Sequence, residues 1–405
     1  MFINTEMAFE LIETYGSPLY VYDEVTLRKR CNELKNLLPG FNLKINYSIK
    51  ANSNPSLLKI VLDEGLNVDA MSPGELYIEE MAGFPADKIL YVCNNVSAEE
   101  MKHVIDRGIV LSVDSLAQLE LYGKINAGGR VAVRFNPGSY GAGHHEKVIT
   151  AGEKTKFGVQ AEFTDEVKAI VQRYNLKLVG INQHIGSLFL DEDKYINGAK
   201  ALLEIVKQFP GLEFVDFGGG LGVPYKSDEA RLDLSALSKK LSVVLGEFLQ
   251  EYDNKEVAFV VEPGRYIVAE SGILLGQVHS TKQSYDKTYI GTDLGMNILV
   301  RPSMYDSYHE VEVFSKKEPT GKTKQVTIVG NICETCDVLA KDRILPEIHE
   351  GDIMAVLNAG AYGHVMSSNY NCRFRPAEVL IDKNGAHHLI RRRDSLEDLV
   401  RNYMI

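Results

Sequence analysis

Four short segments carry residue types that could do chemistry together. YSIKANSNP places Lys50 directly after the apolar run LKINY. An amine buried at such a point loses the solvation of its charged form, its pKa falls, and a neutral amine is the species that bonds to an aldehyde. A lysine at a strand end can equally lay its stem along apolar surface and keep its ammonium in water. DFGGGLG, Asp216 to Gly222, follows a second apolar run; glycines there let backbone amides approach an anion closely, and a phosphate is the obvious guest. No Gly-Lys-Ser/Thr follows, and Val223 stands where a dinucleotide fingerprint wants Gly or Ala, so a plain tight turn is the alternative. HIGS offers His184 to stack on a planar ring and Ser187 to donate to a phosphate, although a core histidine satisfied by backbone is commoner. EPGR sets Glu262 and Arg265 three residues apart, as an internal ion pair or as a ligand site.

These residues need elements to hold them. From about residue 43 to 265, short β-branched runs alternate with longer helical patterns, the mark of parallel β/α architecture. The strands read as Leu43–Tyr47, Leu66–Ala70, Ile89–Cys93, Ile109–Asp114, Arg130–Asn136, Leu178–His184, Phe214–Phe217 and Phe259–Glu262. Pro55–Glu64, Gly74–Met81, Ala98–Asp106, Ala161–Tyr174, Tyr195–Gln208 and Leu234–Tyr252 read as helices. Eight such units predict an α/β fold, a TIM-type (β/α)8 barrel, with an open doubly wound sheet as the alternative. Chemistry in that barrel sits at the C-terminal strand ends. Lys50, Asp69, His184, Ser187, the glycines after Phe217, and Glu262 to Arg265 all fall there. Beyond Arg265 only strand-like runs remain (Ile273–Val278, Glu310–Phe314, Gln325–Val329, Ile353–Leu357, Glu378–Ile381), with a turn signal at Lys383–Gly385. The expected organisation is therefore a barrel over 25–268 and an antiparallel β domain over 1–24 and 269–405.

The chain of 405 residues exceeds the size at which one core stops growing, roughly 250–300 residues. Its 44 basic and 55 acidic residues give a net charge of −11 with no long basic run, which disfavours nucleic acid. The acidic start lacks a signal-peptide pattern and no window is apolar enough for a membrane span, so a cytoplasmic protein is expected. Cys31, Cys93, Cys333, Cys336 and Cys372 are odd in number and scattered, which argues for reduced thiols. The lone C-x-x-C at Cys333 is weak evidence for zinc, and His144-His145-Glu146 has no third ligand placed by spacing, so no metal is expected. That triplet belongs to a long connection, Pro137–Phe157, of a length often used as a lid.

Taken together, the segments resemble the fold-type III pyridoxal-phosphate decarboxylases. The order of motifs is similar to that of the diaminopimelate decarboxylase family over nearly the whole chain: YSIKAN, VDAMSPGEL (Val68–Leu76), GAGHHEKVITAG followed by KFG, HIGS, DFGGGLG, EPGR, RPSMYDSYHE (Arg301–Glu310), ICETCD (Ile332–Asp337) and GAYGHVMSSNYNCRFRPAEVL (Gly360–Leu380). The resemblance implies a carboxy-lyase that converts meso-2,6-diaminopimelate to L-lysine and carbon dioxide with pyridoxal 5′-phosphate, the last step of lysine biosynthesis. A related decarboxylase acting on carboxynorspermidine or a basic amino acid is the alternative.

By that resemblance Lys50 holds the cofactor covalently and His184 stacks on its ring. Ser187, Gly219 and Gly220 hold its phosphate, Glu262 faces the pyridine nitrogen, and Asp69, Gly264, Arg265 and Tyr362 complete the cofactor site. A carboxylate at that nitrogen keeps it protonated and strengthens the electron sink, whereas similar racemases place an arginine there. Cys333 is implied as the proton donor, since a thiol pKa is readily tuned; without the resemblance it would read as a buried structural cysteine. Arg265, Arg301, Tyr305 and Tyr362 map onto carboxylate recognition and Glu334 onto the distal ammonium. Similar ornithine decarboxylases have an aspartate after the cysteine and no matching RPxxY segment. A protein that merely stores the cofactor would need Lys50 but not Cys333, Arg301 or Glu334. The resemblance also implies a head-to-tail homodimer in which Cys333 and Glu334 complete the partner's site. Two positions depart from the family pattern: Met296-Asn297-Ile298-Leu299 replaces a common M-N-D-L, and Cys336 stands where glycine is common.

Overall fold

The computed structural model describes residues 1–138 and 155–404. The segment with His144, His145 and Glu146, and with it all but the two ends of the predicted lid, lies outside the described residues. The chain divides into two compact units, Arg28–Val223 with Ala230–Ile267, and Met1–Leu27 with Pro224–Glu229 and Val268–Ile405.

In the first unit eight parallel strands form a closed ring: Leu43–Ser48, Asn67–Ala70, Ile89–Val92, Val110–Val113, Arg130–Asn136, Lys177–Asn182, Phe214–Asp216 and Ala258–Val261. The eighth strand pairs with the first, Phe259 opposite Leu43 and Val261 opposite Ile45, so the open-sheet alternative is excluded. Most of the predicted strands run one or two residues past the observed C-terminal ends. The sixth stops at Asn182, and single backbone bonds prolong the pairing beyond the strand ends: Gln183 N–H donates to the Asp216 carbonyl (3.0 Å) and, past the eighth strand, Glu262 N–H to the Gly218 carbonyl (3.0 Å).

The helices begin where short polar side chains can cap them. Asn54 accepts from Ser56 N–H ahead of Pro55–Asp63, Ser72 from Glu75 N–H ahead of Pro73–Ala82, and Asp233 from Ser235 and Ala236 N–H ahead of Leu234–Glu251. Each buries an apolar stripe, such as Leu57, Leu58, Ile60 and Val61. Among the described residues no helix is long and apolar enough to cross a membrane.

The second unit is a β domain whose sheet runs Val338–Pro346, Thr323–Val329, Lys287–Thr292, Gly272–Ser284, Leu19–Asp23, Ala377–Ile381 and His387–Arg391, with Ile353–Val356 and Val311–Phe314 branching from the long strand Gly272–Ser284. It is mostly antiparallel. Two pairs are parallel, Leu19–Asp23 with Ala377–Ile381 and Lys287–Thr292 with Thr323–Val329, because their connections are long excursions rather than hairpins. The predicted turn is present: Gly385 takes a φ of 85° and its N–H closes onto the Asp382 carbonyl (2.9 Å) between the last two strands. Leu19, Val21, Ile273, Leu275, Ile353 and Val379 form the core with Ala8 and Leu11 of the helix Thr5–Tyr15.

One tyrosine ties the approach to the seventh barrel strand to the helix before the eighth. Tyr252 is buried; its hydroxyl donates to the Phe209 carbonyl (2.8 Å) and accepts from Leu212 N–H (3.0 Å). Tyr252→Phe strips both partners in a buried place, and a loss of about 1–3 kcal/mol is expected, read as a lower urea midpoint with an unchanged slope. An unchanged midpoint would show that water replaces the hydroxyl there.

Candidate active site

The C-terminal mouth of the barrel gathers Lys50, Asp69, His184, Ser187, Gly219, Gly220, Glu262, Gly264 and Arg265. Lys50 lies in the one-turn helix Ile49–Ala51 that ends the first strand, half-buried rather than fully enclosed, with Nζ 4.0 Å from Met71 Sδ. The packing that holds it is close: a Cβ on Gly264 would come within 2.9 Å of Ala51 Cβ and 3.0 Å of Ser48 Cβ. Asp69 is wholly buried and accepts from Ser48 Oγ (2.6 Å). Burial pushes its carboxyl well above the usual range, Glu262 adds to the shift, and the Lys50 ammonium opposes it.

Glu262 and Asp216 are the central pair. Both are buried, at the ends of adjacent strands, where two neighbouring carboxylates taken out of water disfavour joint ionisation. Asp216 is anchored by Gly218 N–H (2.8 Å). Burial pushes it up to about 7, and burial together with Asp216 raises Glu262 further. The opposing charges come from Lys50 and from Arg134, a buried residue of the fifth strand whose guanidinium lies 4.6 Å from the Phe157 ring centre. Neither Asp216 as a partner of Glu262 nor Arg134 was anticipated. A charged residue inside the apolar run VAVRF was a readable signal for Arg134.

The glycine segment wraps the same mouth. Gly219 N–H donates to His184 Nδ1 (3.3 Å), which leaves that ring nitrogen unprotonated. Burial, with Lys50 and Arg134 nearby, holds the imidazole pKa well below its ordinary value, so the ring is neutral. A Cβ on Gly219 would fall 2.1 Å from the Glu262 carbonyl oxygen, and one on Gly220, which has a φ of 100°, 2.7 Å from the Gly186 carbonyl oxygen. Only glycine fits at either place. Arg265 Nη2 donates to Ser187 Oγ (3.1 Å).

The remaining candidates lie in the β unit, in two groups. Arg301 is buried, donates through Nη2 to Ser307 Oγ (3.3 Å), and lies 5.3 Å from the Tyr225 ring centre and 5.9 Å from that of Tyr362. Tyr362 has a φ of 57°, a strained conformation for a bulky side chain. Tyr305 ends the short helix Arg301–Tyr305, half-buried. The departure at Ile298 is accommodated: the side chain is buried and its carbonyl accepts from Tyr20 Oη (2.6 Å). Cys333 and Glu334 form the other group, both exposed. Asn371 Oδ1 accepts from Cys333 N–H (3.0 Å), and the Tyr370 hydroxyl donates to Glu334. Cys333 is thus not a buried structural thiol. Cys336 is exposed beside Met296, the sulfurs 3.6 Å apart.

One buried carboxyl takes part in none of this. Glu79, on the helix Pro73–Ala82, is fully buried and neither oxygen has a hydrogen-bond partner among the described residues. Burial, then Asp69, Glu75 and Glu80, pushes its pKa up to about 9. A raised carboxyl pKa means that the folded state binds the extra proton. Its contribution to stability is complete below about 4.5 and is lost as pH climbs through about 9. Glu79→Gln is expected to raise the melting temperature by roughly 5 °C near pH 8 and to flatten its decline with pH; a pH profile identical to that of the unaltered protein would contradict this account of the carboxyl.

Comparison with known proteins places this geometry. A family model described as "Pyridoxal-dependent decarboxylase, pyridoxal binding domain" matches residues 24–269. The diaminopimelate decarboxylase of Methanothermobacter thermautotrophicus is 42% identical over 404 residues, covering 97% of this chain and 93% of the relative. That of Aquifex aeolicus is 37% identical over 413 residues, covering 99% and 94%. The solved structure of diaminopimelate decarboxylase from Helicobacter pylori complexed with L-lysine is similar at a TM-score of 0.89 and 31% identity, covering 97% of this chain and 98% of that one.

Proposed function

Since the chain belongs to the diaminopimelate decarboxylase family of pyridoxal-dependent decarboxylases, we propose that it removes one carboxylate from meso-2,6-diaminopimelate to give L-lysine and carbon dioxide. The observation that carries this reading is the buried Glu262–Asp216 pair at the mouth of a barrel that also presents Lys50. When bound, pyridoxal phosphate supplies an aldehyde that bonds to amines and a ring that accepts the electron pair released as a carboxylate leaves.

The residues at the mouth fit that group. Glu262 Oε1 is buried and finds no donor among the described residues, as expected of an atom meant for a ring N–H. The glycine cradle leaves no room for a side chain at 219 or 220 and so suits a phosphate. In this reading Lys50 would hold the cofactor through its aldehyde, and Glu262 would face the ring nitrogen and keep a proton on it. His184, being neutral and planar, lies against the ring without adding charge. Ser187, Gly219, Gly220 and Arg265 hold the phosphate, with Tyr362 as a further contact. Asp69 and Gly264 hold the first strand and Lys50 in place. Arg301, Arg265, Tyr305 and Tyr362 take the distal carboxylate, where a guanidinium matches a planar anion. Glu334 takes the distal ammonium, and Cys333 delivers a proton to the α-carbon.

The exposure of Cys333 and Glu334 supports a head-to-tail homodimer in which these two residues complete the partner's site. A fully active monomer in sedimentation at assay concentration would contradict the dimer.

Product analysis with meso-diaminopimelate, ornithine, arginine and carboxynorspermidine is expected to yield lysine from the first and little from the others. Preferential turnover of any of the other three would replace the proposed substrate. Lys50→Ala is expected to abolish both the visible absorbance of the bound cofactor and turnover. Cys333→Ala is expected to keep that absorbance while slowing turnover by about 10²–10⁴-fold. Normal turnover by Lys50→Ala would end the mechanism.

A further inference from the structure

His309 lies in the segment that also carries Arg301 and Tyr305, and nothing above gives it a task. It is wholly buried. Its Nδ1 is 2.8 Å from the Leu357 carbonyl oxygen, and its Nε2 is 3.3 Å from Arg301 Nε. A carbonyl oxygen can only accept, so the hydrogen belongs on Nδ1. A guanidinium N–H can only donate, so Nε2 must offer its lone pair. The two contacts together select one state of the ring, neutral and protonated at Nδ1. A doubly protonated ring would aim an N–H at an N–H and add a like charge to a buried guanidinium.

Both ends of this relay rest on fixed backbone. Leu357 follows the strand Ile353–Val356, and its own N–H donates to the Glu310 carbonyl (2.9 Å). The His309 carbonyl accepts from Arg343 Nη2 (3.0 Å). The Tyr225 ring meets the imidazole edge-on, at 86° and 5.1 Å between centres, while the same tyrosine lies near the Arg301 guanidinium. With Nε held by His309 and Nη2 held by Ser307, the guanidinium plane cannot turn about its Cδ–Nε bond without breaking two hydrogen bonds. A planar fork recognises a planar carboxylate only in a narrow range of orientations.

We propose that His309 is a positioning residue for substrate choice: it passes the fixed orientation of the Leu357 carbonyl to the Arg301 guanidinium, and thereby makes recognition of a carboxylate at the distal end of the substrate strict. The proposal rests on the reading of Arg301 as the partner of that carboxylate.

Two substitutions in the holoenzyme separate the two ends of the ring. His309→Asn can keep a donor near Leu357 but withdraws the acceptor from Arg301, whereas His309→Gln can restore an acceptor near the place of Nε2. His309→Asn is expected to raise KM for meso-diaminopimelate about tenfold with kcat within about twofold, the loss of one charge-assisted hydrogen bond. Inhibition by cadaverine, which has no carboxylate, should not change, and His309→Gln should lie closer to the unaltered enzyme. Nitrogen-15 spectra of histidine-labelled protein should show His309 protonated at Nδ1 alone. An unchanged KM in His309→Asn, a parallel loss of cadaverine inhibition, or a ring protonated at Nε2 would each overturn the proposal. Arg301→Gln serves as the control. If it leaves KM unchanged, the reading of Arg301 itself fails; if it raises KM while His309→Asn does not, only the role of His309 falls.

Discussion

The mouth of the barrel is organised by the cost of burying negative charge. Asp69, Asp216 and Glu262 are all removed from water there, while Lys50 and Arg134 supply the opposing charge. A lone buried carboxylate is disfavoured by several kcal/mol, so the cluster retains a proton instead of ionising fully. Asp216 and Glu262 are side chains that a parallel ring brings together only because the seventh and eighth strands are neighbours. The arrangement resembles other sites in which two carboxyls in unlike surroundings divide the roles of acid and base.

The main chain serves the same end. His184 and the glycine segment follow the ends of adjacent strands, and the Gly219 amide donates to His184 Nδ1, which keeps that nitrogen unprotonated. A cationic ring there would add repulsion toward Lys50 and Arg134, both of which already lower its pKa. In the β unit the solution differs. Arg301 is buried beside the aromatic faces of Tyr225 and Tyr362 and donates to the neutral acceptors His309 and Ser307.

Much of the fold was legible because a parallel barrel repeats one simple pattern, a short β-branched run and then an amphipathic helix, eight times. The polar residues that end those runs, such as Lys50, Asp69 and Glu262, stood out against their apolar neighbours. The pairing of Asp216 with Glu262 did not, since it depends on which strands lie side by side. Glu79 was hidden for another reason: in the run Glu79-Glu80 it looks like half of a solvated face, and only the packed helix shows that one of the two is buried. In the β unit, Leu19–Asp23 was missed as a strand because all five residues are buried and no alternation marks them, and His387–Arg391 because its HHLIR sequence is polar and largely solvent-facing. Nothing within RPSMYDSYHE marks His309, because its partner is a carbonyl 48 residues away.

The central claim is that the amine of Lys50, set among these carboxyls, is the covalent anchor of an aldehyde cofactor. Borohydride reduction of the purified holoprotein, followed by peptide mapping, tests it most directly. The expected result is one stably modified lysine, in the peptide containing YSIKANSNP. Modification of a different lysine, or of none in protein that retains its cofactor, would contradict the claim.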